Sequence, residues 1–275
     1  DEAAARVAAD TSLRLVRYPA AVFGFLGFRL VDRRGTAHPV LGDRELRKAL
    51  TLATDRAGLA RALVGEGAMV PVGPMSRLLW IAGEGASVPA VDTAAAVVQL
   101  DRAGWRRAGE WRAKAGRTLS FDILVPSTST VRKRYAEALQ AAWRPLGVEV
   151  SVTAVDFPVF QERLAEGDFD SYIGAYLDEP SPRALANHWT RSGWAVSNHG
   201  RYANPAFDSL LGAASREDNV ERARRFWREA LDTLNADVPA IFLYSLANVA
   251  AVQRRLQNVD IDPYSWASGL PGWRI

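Results

Sequence analysis

The chain has 275 residues, a formal charge of +3 and no cysteine. That length allows a sizeable core, and the missing cysteines exclude disulfides, thiol chemistry and the usual zinc ligand set. Lysine and arginine are interspersed with acidic residues, so no basic stripe for nucleic acid or membrane stands out, and no apolar run is long enough to span a bilayer.

Asp1-Glu2-Ala3-Ala4-Ala5 has neither an initiator Met nor a charged-then-apolar leader, so the chain reads as a fragment or a processed product. Residues 1–21 read as a frayed helical remnant and connector ending at Tyr18-Pro19. Val22 to Val31, rich in Phe, reads as a buried strand, and Asp32-Arg33-Arg34-Gly35 as a turn. Asp43 is placed to cap a helix with Leu46, Ala49, Leu50 and Ala53 on one face, followed by a short helix around Leu59 to Leu63. Residues 66–91, rich in Gly, Pro and Ser, read as a long irregular loop, and Asp92 as the cap of a helix ending at Gly104.

The clearest pattern lies between residues 119 and 176. Leu119, Phe121, Ile123 and Val125 alternate as a strand, and a helix is expected over 128–145. Val148 to Ala154 alternate again. Asp156 is placed to cap a helix with Phe157, Phe160 and Leu164, and Phe169 to Tyr176 form a third strand. Strand–helix–strand–helix–strand implies an α/β fold with a parallel-type sheet, right-handed crossovers and flanking helices. After a loop-rich stretch, Asn204-Pro205 opens one helix and Val220 to Ala236 forms another, its surface carrying Glu221/Arg225 and Arg225/Glu229 pairs. Two apolar strands, Ala240 to Tyr244 and Val249 to Val252, precede an irregular aromatic tail from Leu256.

Open parallel sheets bind ligands beyond the carboxyl ends of their strands. Here those ends are Pro126 to Thr130, Val155 to Phe157, and Tyr176 to Pro180. Ser127 and Thr128 offer hydroxyls to a ligand, or simply cap the helix. Phe157 is an aromatic wall, or packs with Phe160 in the core. Tyr176, Asp178 and Glu179 combine an aromatic with two carboxylates suited to a cationic group, or form a solvated turn. Trp189 and Trp194 line a cleft or cover the sheet edge. His38, His188 and His199 are too scattered to imply a metal site, and no hydrolase elbow, P-loop, H-E-x-x-H or dinucleotide fingerprint occurs. Adjacent carboxylates on an extended segment point opposite ways, so Asp178 and Glu179 suit shared acid/base work poorly. No enzyme and no cofactor are expected.

Several segments, in order, resemble one family. Leu26-Gly27-Phe28, Asp43 with Leu46-Arg47-Lys48-Ala49-Leu50, and Ala53-Thr54-Asp55-Arg56 are similar to the hinge-to-lobe passage of oligopeptide/dipeptide/nickel-type solute-binding proteins, extracellular family 5. So are Gly65-Glu66-Gly67-Ala68 with Pro71 and Gly73-Pro74, Asp92-Thr93-Ala94 leading to Ala103-Gly104-Trp105, Gly147-Val148-Glu149-Val150, Gly167-Asp168-Phe169-Asp170, Arg201-Tyr202-Ala203-Asn204-Pro205-Ala206-Phe207-Asp208, and Asp237-Val238-Pro239 through Leu243-Tyr244. The matches run colinearly from about residue 22 to 252.

The resemblance implies the C-terminal lobe of a type II periplasmic-binding fold, with residues 1–40 as connector and hinge strand, 41–255 as the ligand-binding lobe and 256–275 returning toward an absent N-terminal lobe. It implies the substrate-binding component of an ABC importer, extracytoplasmic as a periplasmic protein or membrane-anchored lipoprotein. Its expected partners are a peptide or small-molecule ligand, a membrane permease and the N-terminal lobe of the same protein, with no nucleic acid. The alternative is the ligand-sensing domain of a transcriptional regulator. The implied ligand-binding residues are Phe157, Tyr176, Asp178, Glu179, Ser127, Thr128 and Trp194. Tyr176 stands where the family usually has Trp, the segment after it is about three residues short, and Phe28-Arg29 replaces the usual Phe-Asn.

Overall fold

The computed structural model describes residues 7, 9–65, 67–82 and 88–275. In chain order the elements are β1 (Leu13–Phe28), α1 (Arg44–Leu52), α2 (Arg56–Leu63), α3 (Thr93–Arg102), β2 (Arg106–Ala108), β3 (Trp111–Lys114), β4 (Arg117–Thr118) and β5 (Ser120–Pro126). Then come α4 (Thr130–Trp143), β6 (Glu149–Val155), α5 (Phe157–Glu166), β7 (Ser171–Leu177), α6 (Leu185–Trp189), α7 (Pro205–Arg216), α8 (Val220–Asp237) and β8 (Ala240–Gln253).

Local chemistry sets most of these boundaries. Asp43 accepts from the amides of Glu45 and Leu46 to open α1, Asp92 from Ala95 to open α3, Ser129 from Arg132 to open α4, and Asn204 from Ala206 and Phe207 to open α7. Each side-chain oxygen satisfies donors that the first helical turn leaves free. Asp156 precedes α5 without capping it: its carboxylate accepts from Ser127 Oγ instead, at 3.1 Å. Gly167, at φ 74°, ends α5 in the left-handed region that a residue without Cβ enters freely.

Five strands form one sheet in the order β6-β5-β7-β1-β8. β5 pairs in parallel with β6 and β7, as the alternation implies. β1 runs antiparallel to both β7 and β8, so the whole sheet is mixed. The chain moves outward from β5 to β6 and then back past β5 to β7. Two right-handed crossovers in opposite directions put their helices on opposite faces. Accordingly α4 buries Tyr135, Leu139 and Trp143 on one face with Leu46, Leu50, Phe121 and Ile123. α5 buries Phe160 and Leu164 on the other with Phe23, Phe25, Tyr172, Trp227 and Phe242.

Several elements differ from expectation. The segment before Val22 is strand from Leu13 onward, because its polar residues lie along a two-stranded ribbon with β8; the helical remnant expected further upstream falls mostly outside the described residues. The two expected C-terminal strands are one 14-residue strand. Its polar middle, Ser245 to Asn248, interrupts the apolar pattern, and the ladder to β1 shifts register there but continues on both sides, with Pro19 opposite Ala247 and Phe23 opposite Ser245. β2, β3 and β4 make a small antiparallel sheet that carries little apolar alternation. On α8, Glu221 pairs with Arg224 at 3.0 Å rather than with Arg225, which faces Glu229 at 3.9 Å.

The described part of the loop after α2 packs down with Met75, Leu79 and Ile81 in the second core, and the Met69 carbonyl accepts from the Ser245 amide. It thereby covers part of β8, an edge strand whose backbone groups would otherwise be open. Beyond Val22, which pairs with the last residue of β7, β1 continues outward paired only with β8, Leu13 to Pro19 against Gln253 to Ala247. The tail folds back on this ribbon. Arg14 donates to the Leu256 carbonyl, and Gln257 and Arg274 exchange backbone hydrogen bonds at 2.7 and 3.1 Å.

Candidate functional site

The carboxyl ends of β5, β6 and β7 lie side by side because the three strands are parallel and in register, Pro126 opposite Val155. They form an open edge at the root of the β1–β8 ribbon. Ser127 and Thr128 are exposed there. The Ser127 amide donates to the Val155 carbonyl at 2.7 Å and its hydroxyl to Asp156, which ties the first two loops together. Phe157, at the start of α5, is 46 % exposed although its ring stacks on Phe160 at 6.2 Å. Packing against Phe160 thus accounts for only part of its surface, and the rest faces outward at this edge. Leu177 is 70 % exposed, and Glu179 is exposed two residues on.

Asp178 sits between those two exposed residues and is buried. Its amide donates to the Ala21 carbonyl at 2.7 Å, and its carboxylate accepts from the Ser76 amide. Burial raises its pKa, against the lowering effect of the Ser76 hydrogen bonds. Tyr264 of the tail lies close enough that the Asp178 charge, added to burial, pushes the phenol up to about 12. Asp178 therefore joins the end of β7 to β1 and to the loop after α2.

Tyr176 lies on the second face of the sheet. Its hydroxyl donates to the Ser197 carbonyl at 2.6 Å, and its ring stacks on His188 at 3.8 Å and 10°. Burial pushes its pKa up to about 12. Trp194 stands at the opposite end of the sheet, in a cavity of about 450 Å³ shared with Leu30, Arg201 and Asp237. Its indole donates to the Tyr202 carbonyl and carries the Arg191 guanidinium 4.8 Å above the ring.

The structure thus brings Ser127, Thr128, Phe157 and Glu179 to one exposed edge, sets Asp178 and Tyr176 behind it, and separates Trp194 from all of them. Sequence reasoning missed Leu177 and the roles of Asp156 and Ser76. An apolar residue at the end of an alternating strand, just before two acids, signals the first. Ser76 has no local signal, because its partner is 102 residues away. Among the described residues no group of three or more His, Asp and Glu is placed to hold a metal ion.

Residues 1–197 match the model of the family described as bacterial extracellular solute-binding proteins, family 5. Protein XP55 of Streptomyces lividans is 31 % identical over 209 residues, which is 76 % of this chain and 38 % of that protein. The oligopeptide-binding protein OppA of Mycobacterium tuberculosis (strain ATCC 25618 / H37Rv) is 25 % identical over 232 residues, 82 % of this chain and 38 % of that protein. Among solved structures, the oligopeptide-binding protein AppA of Bacillus subtilis, in complex with a nonapeptide, superposes with a TM-score of 0.79 at 21 % identity, covering 96 % of this chain and 53 % of that one. The chain spans well under two thirds of these relatives.

Proposed function

The chain belongs to the bacterial extracellular solute-binding proteins of family 5, and on that premise we propose that it supplies one wall of the ligand cleft in the substrate-binding component of an ABC importer. The ligand is a peptide or a similar small solute, held without covalent chemistry. The observation that carries this reading is Phe157, an aromatic 46 % exposed at the carboxyl edge of a parallel sheet, where ligands of open α/β sheets bind. Phe157 and Leu177 offer apolar surface, Ser127 and Thr128 hydrogen bonds to a ligand backbone, and Glu179 a charge for a cationic group. Asp178 and Tyr176 hold this edge from behind; Trp194 is too distant to take part.

A single open edge buries little of a ligand, and tight sites enclose most of it. A second lobe of the same protein, reached through the β1–β8 ribbon, completes the cleft in this reading. The protein works outside the cytoplasm, in the periplasm or tethered as a lipoprotein, and delivers its ligand to a membrane permease. No helix among the described residues is long and apolar enough to cross a membrane.

Isothermal titration of the full-length protein with di- to pentapeptides tests the proposal. Peptide binding should weaken about tenfold in Phe157→Ala, the usual scale for an exposed aromatic anchor. No heat from peptides, opines, sugars or nickel chelates would overturn it.

A further inference from the structure

Arg56 opens α2 beside the edge strand β8, and its side chain is buried. Among the described residues it makes one side-chain hydrogen bond, from Nη1 to the Phe242 carbonyl at 3.5 Å, the outer limit of such a contact. Its Nε is buried, with no partner among the described residues. The other buried arginines are well served. Arg47 donates to three carbonyls, and Arg112 to two carbonyls and the Asp101 carboxylate. Burial lowers the pKa of Arg56, and no charge among the described residues opposes that shift. A guanidinium removed from water without a counter-charge is strongly unfavourable, so its surroundings point to an anion that completes them.

Two cavities meet at this side chain. One, of about 260 Å³, runs between Pro71, Val72, Val88 and Phe242. The other, of about 240 Å³, lies toward Lys48, Leu52, Ala90 and Gln99. Thr51, Arg56, Pro89 and Val238 line both. Their walls are mostly apolar, with the Arg56 guanidinium between them. Neither touches the carboxyl edge. Ala240 and Phe242 pair with Gly27 and Phe25 of β1, which oppose Tyr172 and Gly174 in the earlier part of β7.

We propose that this is a second ligand site, separate from the cleft, which takes a small carboxylate with a short apolar tail. The carboxylate pairs with Arg56 and the tail lies along Val72, Val88 and Phe242. A free aliphatic acid and the carboxyl end of a short peptide share this chemistry.

Isothermal titration of the chain with hexanoate and with N-acetyl-leucine separates the two sources, and hexanol and sulfate serve as the uncharged and the tailless controls. At least one carboxylate should bind well above both controls. Arg56→Met should weaken that binding about tenfold to a hundredfold, the scale of a hydrogen bond to a charged group, while its melting temperature without ligand stays level or rises. Thr51→Leu, which keeps Arg56 and suits a helix, should fill the shared wall and lose binding as well. Carboxylates without measurable binding, sulfate or hexanol binding equally well, or undiminished binding in Arg56→Met would each overturn the proposal. If Arg56→Met fails to fold, undiminished binding in Thr51→Leu does the same.

Discussion

The backbone amide of Ser76 donates to Asp178 Oδ2 at 2.5 Å, which fastens the loop after α2 to the end of β7 across 102 residues of chain. An acid at the carboxyl edge of a binding-protein sheet invites a reading as ligand anchor. Here the carboxylate already has a partner and is largely out of water, and the exposed acid beside it is Glu179. The loop that Asp178 holds covers the second core with Met75 and Leu79, so this hydrogen bond couples the edge to the packing behind it.

The sign of the pH dependence follows. Burial sets the folded pKa of Asp178 above its ordinary 3.8, so the folded state holds the proton more tightly than the unfolded chain. This group's contribution is most favourable below 3.8 and is lost as pH rises through the raised value. Asp178→Asn keeps an acceptor for the Ser76 amide and removes the charge. It should be more stable than the wild type at neutral pH, with the difference shrinking as pH falls toward the ordinary 3.8 of the carboxyl. Urea unfolding of both proteins across that range measures it, and a difference that grows toward acid contradicts the assignment.

His188 behaves in the opposite sense. Its ring lies 3.8 Å from that of Tyr176, its Nδ1 is 2.7 Å from Ser197 Oγ, and burial, with His199 nearby, pushes its pKa down to about 4. The folded ring is neutral at pH values where the unfolded histidine is protonated. Stability present above its ordinary 6.5 is lost as pH falls toward 4. His188→Phe keeps the stack and removes the titration, so between pH ~7 and ~5 the wild type should lose on the order of 2 kcal/mol relative to the variant. In NMR spectra the His188 ring signals should not titrate above pH ~5. A midpoint near the ordinary value means that the ring is not desolvated.

The parallel part of the sheet and the starts of most helices were legible in the sequence because they rest on local signals. Alternation in β5 to β7 and oxygens at Asp43, Asp92 and Asn204 act within a few residues. β1 and β8 were read short because their outer halves form a ribbon with little buried surface, so Arg14, Arg17 and Asn248 leave no apolar period. The β2–β4 sheet was invisible for the same reason: every residue of β2 is exposed. At the candidate site Phe157, Ser127 and Glu179 were legible from strand order alone. The burial of Asp178 was not, because its partner Ser76 lies 102 residues away in the chain.

Arg47 joins the α1 side of the first core to the junction of α8 with β8. It is 4 % exposed and donates to the carbonyls of Leu41, Asp237 and Val238, each at 2.7 Å. Arg47→Met preserves much of the volume and leaves those carbonyls without their donor. The expected cost is about 3 kcal/mol, since unsatisfied buried acceptors lose their full solvation. Arg47→Lys should recover only part of it, because one ammonium does not reproduce the planar fork. Urea unfolding measures both variants. A methionine variant within ~0.5 kcal/mol of the wild type, the scale of a surface substitution, means that water serves the carbonyls instead.

Gly24 pairs with Tyr244 at a register shift in the β1–β8 ladder, and a Cβ added there would run into the Tyr244 ring. That ring cannot swing aside, because it is buried and stacks on Tyr135 at 4.8 Å and 22°. Gly24→Ala should therefore cost about 3 kcal/mol, the upper end for overpacking a core. Tyr244→Ala alone should cost a similar ~3 kcal/mol by leaving a cavity. The two losses share one cause of contact, so the double variant should be less destabilised than their sum by about 2 kcal/mol. Urea unfolding of the four proteins closes the cycle. Additive losses would mean that the ribbon shifts its register to accept the methyl, and that the root of the β1–β8 ribbon is not fixed by this contact.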